Sequence, residues 1–181
     1  MEVNNERGPK MNTFRTSPNV VTSVVGQRNL IQQSRSIAIV GMSADPSKAS
    51  YFVATYLLSS SCDFDHVWFV NPRGGEILGR PVYTSLTDLP GVPDLVDVFR
   101  READLPDVAR DVVSLPGEGV KVFWAQLGLW SEEAAAIAHA GGLAVVMDRC
   151  LKIEHARFHG GLHDAGFDTG VITSQRRTLR P

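Results

Sequence analysis

Cysteine is scarce in this chain: Cys62 and Cys150 are the only two among 181 residues. Two thiols cannot build a disulfide framework, and no metal-ligand spacing surrounds either one. No apolar run approaches the roughly 20 residues that span a bilayer. The opening stretch, MEVNNERGPKMNTFRTSPN, lacks the apolar core of a signal peptide. Net charge is only −2, so binding to nucleic acid by bulk electrostatics is not expected. The expectation is a cytoplasmic protein that engages neither membrane nor nucleic acid. Two nucleotide signatures are missing as well. There is no G-x-G-x-x-G with its acidic residue at the end of the second strand, and no loop ending Gly-Lys-Ser/Thr.

What is present is an ordinary globular composition, 43% hydrophobic and 21% charged, in a chain long enough for one domain with a substantial core. Residues 1–19 read as a mobile N-terminal tail with few apolar anchors. Residues 20–158 read as the domain, entered through a short helix within 20–33, and 159–181 as a C-terminal tail. Within the domain, apolar runs at 37–40, 66–70, 95–99, 120–124 and 143–147 predict five strands. Helical patterns at 49–60, 84–89, 105–115 and 131–140 lie between them, and 151–157 closes the series. Near-continuous apolar strands alternating with helices predict an α/β fold: a Rossmann-like open, parallel, five-stranded sheet with helices on both faces.

In such sheets the ligand lies outside the carboxyl ends of the strands, near the reversal of strand order. The five post-strand loops carry Lys48, Arg73, Arg100, Arg101 and Arg149, a basic set that points to an anionic ligand. The competing reading is that Arg101 and Arg149 pair with Glu102, Asp104 or Asp148. In the first loop, Gly41 leaves room for a ligand at the backbone. The helix after it offers free N–H groups and a positive dipole end. Ser43, Ser47 and Ser50 add hydroxyls, although Ser47 or Ser50 could equally cap that helix. The second strand ends Val70-Asn71-Pro72-Arg73. An arginine in place of the NAD-type acid suits a ribose phosphate, as in NADP or coenzyme A.

Taken in order, the segments IAIVGMSADPSKASYFVATYLL, VWFVNPRGGEILGRPVYTSLTDLP, DLVDVFRR and VFWAQLGLWSEEAAAIAHAGGLAVVMDRCLKIEH resemble the bacterial CoA-binding protein family. These are small stand-alone Rossmann domains, similar to the N-terminal domain of the succinyl-CoA synthetase alpha subunit. The resemblance covers about 34–158 and leaves 1–33 and 159–181 outside it. It implies binding of coenzyme A or an acyl-CoA without catalysis, as a sensor or carrier. By position, Gly41 and Ser43 would line the diphosphate, with Ser47, Lys48 and Ser50 near phosphate groups. Asn71, Pro72 and Arg73 would border the adenosine end, Arg73 facing the 3′-phosphate. Val98, Phe99 and Arg100 would pack beside the nucleotide, and Gln126, Leu127 and Gly128 would flank the pantetheine arm.

No catalytic constellation is expected. Cys150 and His155 are five residues apart on the closing helix, but a cysteine at a strand–helix junction is more often a small buried hydrophobe. His155, His159 and His163 share an i, i+4, i+8 spacing suited to a metal, which Gly160 and Gly161 interrupt. Asp94 and Asp97 flank or enter a strand, where Asp97 is expected to satisfy local backbone groups. Ligase chemistry would need a phosphohistidine domain that the residues after Phe158 are too few to supply. The rival readings are an NADP-dependent oxidoreductase and an interaction module regulated by CoA.

Overall fold

The computed structural model describes residues 15–59, 62–116 and 119–159. The predicted tails therefore fall largely outside the described residues. The chain enters through α1 (Val24–Gln33), then β1 (Ser36–Val40), α2 (Ala49–Leu57) and β2 (His66–Val70). A short hairpin follows, β3 (Glu76–Ile77) and β4 (Arg80–Tyr83), before β5 (Leu95–Val98) and α3 (Leu105–Val113). The series ends with β6 (Val122–Ala125), α4 (Glu132–Ala140), β7 (Ala144–Val146) and α5 (Leu151–His159).

The sheet has seven strands in the order β3-β4-β2-β1-β5-β6-β7, parallel except for the antiparallel β3. The Rossmann-like α/β expectation holds, with two strands more than the five expected. The addition is the hairpin, which stands where the second crossover would carry a helix. The helix expected at 84–89 is a single 3₁₀ turn, Leu86–Asp88. Leu78 (φ 53°) and Gly79 (φ 71°) form the hairpin turn. Two positive φ angles match the twist of a two-residue hairpin, a place usually filled by Asn-Gly.

Strand residues alternate between two cores because both faces of the sheet are covered. Ala38, Val40, Val96, Val98, Phe123 and Ala125 pack with α3 and α4. Ile37, Ile39, Phe69, Leu95, Val122 and Trp124 pack with α1, α2 and α5. At the β7 edge, the Val21 N–H donates to the Val145 carbonyl at 2.7 Å. Gln27 Nε2 in turn donates to the Val21 carbonyl at 3.1 Å, fixing the lead-in segment along that strand.

At the amino end of the sheet, Asp94 ties three strands together. Its carboxylate accepts from the Arg35 and Ser36 N–H groups (2.9 and 3.0 Å) and from the Ser36 hydroxyl (3.0 Å). Lys121 Nζ lies 3.2 Å away. Burial alone would raise the pKa of this carboxyl; the Arg35 N–H, the Ser36 hydroxyl and Lys121 together hold it below the ordinary value. A carboxyl lowered in the folded state stabilises above its unfolded pKa and loses that contribution as pH falls through the lowered value. Asp94→Ala is therefore expected to cost about 2 kcal/mol at neutral pH. Urea denaturation between about pH 7 and pH 3 should show a shallower acid limb in the variant than in the wild type.

Candidate functional site

The chain proceeds outward from β1 through β2 and returns on the other side at β5, so strand order reverses between β1 and β5. Their carboxyl ends are in direct contact. Gly41, at φ +88°, lies so close to β5 that a Cβ there would stand 2.7 Å from the Phe99 carbonyl oxygen. The Gly41 and Met42 N–H groups donate back to the Val70 carbonyl at 2.9 and 3.2 Å. Glycine is thus required first for the chain to approach itself, a constraint that the sequence reading assigned to the ligand.

Beyond Gly41 the loop is held by its own polar groups. The Ser43 N–H donates to the Ser50 hydroxyl oxygen (3.1 Å), and the Asp45 N–H to the Ser43 hydroxyl oxygen (3.1 Å). The Ser47 N–H donates to Asp45 Oδ1 at 2.9 Å. Ser47 chiefly, with Lys48, holds the Asp45 carboxyl below its ordinary pKa against the opposing effect of burial. Neither Ser47 nor Ser50 caps α2. The N-cap position falls to Lys48, which makes no side-chain cap bond. The first-turn N–H groups of α2 consequently remain available to an anion, with Lys48 exposed beside them.

The second loop is latched to the first. Asn71 Nδ2 donates to the Met42 carbonyl at 2.7 Å, and the Arg73 N–H donates to Asn71 Oδ1 at 2.9 Å. Pro72 and Arg73 are exposed. After β5, Val98 is fully buried in the α3/α4 core, so it supports the edge from beneath, while Phe99 is partly exposed. Arg100 and Arg101 both reach Asp104, at 3.2 and 2.8 Å. Arg149 Nη1 donates to the Asp148 carbonyl at 2.8 Å. The pairing reading thus holds for Arg101 and extends to Arg100. Lys48 and Arg73 form no ion pair with a described carboxylate.

After β6, Leu127 is 48% exposed. Gly128 takes φ +84° and donates its N–H to Asp148 Oδ1 at 2.7 Å. Gln126 points the other way: it is buried, and its Nε2 lies 2.8 and 3.0 Å from the two Asp97 carboxyl oxygens. Asp97 is fully buried. The expectation that it serves local backbone groups is corrected, because its partner is a side chain on the neighbouring strand's loop. Burial pushes the Asp97 carboxyl up to about 8, only partly offset by the Gln126 amide. A lone acid inside the run LVDV is the signal that could have marked it.

Cys150 is also buried. Burial, with help from the Asp97 charge, pushes its thiol above the ordinary value. His155 faces Tyr56 Oη at 3.0 Å and Cys62 Sγ at 3.9 Å through Nδ1, so the histidine is engaged with other partners than Cys150. Among the described residues no group of three or more His, Cys, Asp or Glu is placed to hold a metal ion. His163 and the side chain of His159 lie outside those residues. No helix of the described residues is long and apolar enough to cross a membrane.

Residues 35–156 match the model of the CoA binding domain. The chain belongs to the CoA-binding domain family. A Bacillus subtilis protein, the uncharacterized YneT, is 36% identical over 129 residues, covering 71% of this chain and 91% of its own. The alpha subunit of a Pyrococcus furiosus ADP-forming acetate–CoA ligase is 28% identical over 126 residues. That match takes in 66% of this chain and 27% of the subunit, so the chain spans about a quarter of the ligase polypeptide. A solved structure of a hypothetical protein from Pyrococcus horikoshii superposes with a TM-score of 0.68 at 31% identity, over 79% of this chain and 96% of that one. This CoA-binding domain therefore has both stand-alone and ligase-embedded relatives.

The geometry separates two classes of glycine in the domain. Gly41→Ala adds a Cβ against the Phe99 carbonyl as well as a strained φ, and is expected to cost roughly 2–4 kcal/mol. Gly75→Ala, at φ +97° with nothing within 4 Å, should cost about 1 kcal/mol. Comparison of the two variants by urea denaturation measures the contact between β1 and β5.

Proposed function

We propose that the carboxyl edge of this sheet binds coenzyme A or an acyl-CoA and does not transform it. The observation that carries the reading is the pair Lys48 and Arg73. These two basic side chains are exposed at an edge where Arg100 and Arg101 are already paired with Asp104. Lys48 stands at the start of α2, which has no side-chain cap, and Arg73 lies on the loop that Asn71 latches to the Met42 carbonyl, in a chain of a CoA-binding family. A diphosphate would sit at Gly41 and Ser43, near the first-turn N–H groups and Lys48, with Ser47 and Ser50 shaping the loop. The adenosine end would lie along Asn71, Pro72 and Phe99, with Arg73 on the 3′-phosphate as a charge-assisted partner. The pantetheine arm would run past Leu127 and Gly128, where the surface turns apolar.

Support for a non-catalytic role comes from the same edge. Its one thiol, Cys150, is buried and held protonated, and its histidine candidate faces Tyr56 instead. An NADP-dependent oxidoreductase would also use Arg73, for a 2′-phosphate, and makes the opposite forecast for ligand rank. Isothermal titration with CoA, dephospho-CoA, NADP and NAD distinguishes them, with CoA expected to bind tightest. Arg73→Ala should weaken CoA about tenfold, equivalent to about 1.4 kcal/mol, and leave dephospho-CoA unchanged. Equal losses for both ligands would remove the 3′-phosphate assignment, and tighter binding of NADP would overturn the CoA reading.

A further inference from the structure

Two described acids are buried, and they are treated differently. Glu154 has Arg157 at 3.2 Å, whereas no described cation lies within ion-pair distance of Asp97. Strand packing does not call for a carboxyl here; valine would fill the place. Asp97 pairs in register with Ile39 on β1 and Trp124 on β6. It stands two residues before Phe99, whose carbonyl touches Gly41. That is roughly 7 Å of strand below the carboxyl ends of β1 and β5, where the proposed CoA crevice lies. Among the described residues the hydrogen-bonding partner of its side chain is Gln126, which opens the loop that carries Leu127 to the same edge.

The groups packed around Asp97 leave it without compensation. Ile39 from β1, Trp124 from β6 and Gln126 just after β6 are uncharged, and Trp124 spends its Nε1 proton on the Arg149 carbonyl at 2.8 Å. Just before α5 stands Cys150, a titratable neighbour whose thiol is itself pushed up by burial and by Asp97. Of the charged groups further out, Arg100 is paired with Asp104 and Asp148 takes the Gly128 N–H. Arg149 donates to the Asp148 carbonyl and lies outside ion-pair distance of Asp97. A diphosphate arriving above would add negative charge and expel water. At about 10 Å and an effective dielectric near 20, each added charge raises a carboxyl by on the order of one pK unit.

We infer that occupation of the crevice by a diphosphate ligand is coupled to protonation of Asp97, so that ligand and proton are taken up together. The inference rests on the crevice being the CoA site proposed above. The direction follows from burial, which already places the free carboxyl at about 8. Below that pH, free and occupied forms are both protonated and affinity is flat. Above it, the occupied form keeps a proton that the free form has lost, so affinity falls as pH rises. Asp97 thereby acts as a positioning residue, holding Gln126 while its charge state tracks occupancy.

The test is titration calorimetry of the full chain with dephospho-CoA, which lacks the titrating 3′-phosphate. It is run at about pH 7 and about pH 8.5 in two buffers of different ionisation enthalpy. Wild type should take up a substantial fraction of a proton at the higher pH and almost none at the lower. Asp97→Asn keeps the acceptor for Gln126 and removes the charge. It should match wild type at the lower pH, take up no proton, and bind several-fold tighter than wild type at the higher pH. Carboxyl-carbon NMR of Asp97 should show a midpoint near 8 that rises by about one unit or more on saturation. Uptake that persists in the variant, or a midpoint that saturation leaves in place, overturns the coupling while leaving CoA binding intact. Failure of CoA and dephospho-CoA to bind at either pH overturns the reading of the crevice itself, and the coupling with it.

Discussion

The backbone of Gly41 rests against the carbonyl of Phe99, and most of what the carboxyl edge can do depends on that contact. It closes β1 onto β5 at the point where strand order reverses and sets where α2 begins. With β1 ended so abruptly, the Gly41 and Met42 N–H groups turn to Val70, and Asn71 can reach the Met42 carbonyl. Three strand ends become one rigid floor. The exposed elements above it are the side chains of Lys48, Arg73 and Leu127, so the proposed recognition would be added to a backbone that is already closed on itself.

The edge is also sorted electrostatically. Asp104 gathers Arg100 and Arg101 and the Asp148 carboxylate takes the Gly128 N–H, which leaves Lys48, Arg73 and Arg149 without a described carboxylate partner. Such sorting matters more than the count of arginines, because an arginine already matched with a carboxylate gives a ligand little net attraction. Asp45 adds a carboxylate at the start of α2, sharing the loop with any phosphate. An anion bound at this loop, as proposed, would compete with it for the Ser47 N–H.

The parallel strands were legible in the sequence because burial on both faces makes each one a continuous apolar run. The hairpin was not. Its strands are two and four residues long, Pro81 sits in one of them, and Leu78 takes a conformation that sequence patterns assign to asparagine or glycine. The loops at the carboxyl edge were legible because α/β topology dictates where they lie. Their internal bonding was hidden, since whether an arginine is matched depends on carboxylates three or four residues away. Asp97 shows the same limit: its meaning comes from Gln126, 29 residues on, which only the alignment of β5 with β6 brings close.

The lead-in segment held against β7 has a consequence for assembly. An open β7 would be a template on which a second molecule could extend the sheet. Residues 20 and 21 lie along it, held by the Val21–Val145 bond and by burial of Val20. Being tethered to the same chain, this cover competes at high effective concentration with any incoming strand. Two copies could still trade lead-ins, each covering the other's edge with the same contacts. The β7 edge is thus guarded against open-ended growth, while a closed, reciprocal exchange is an association at that edge which the arrangement does not penalise.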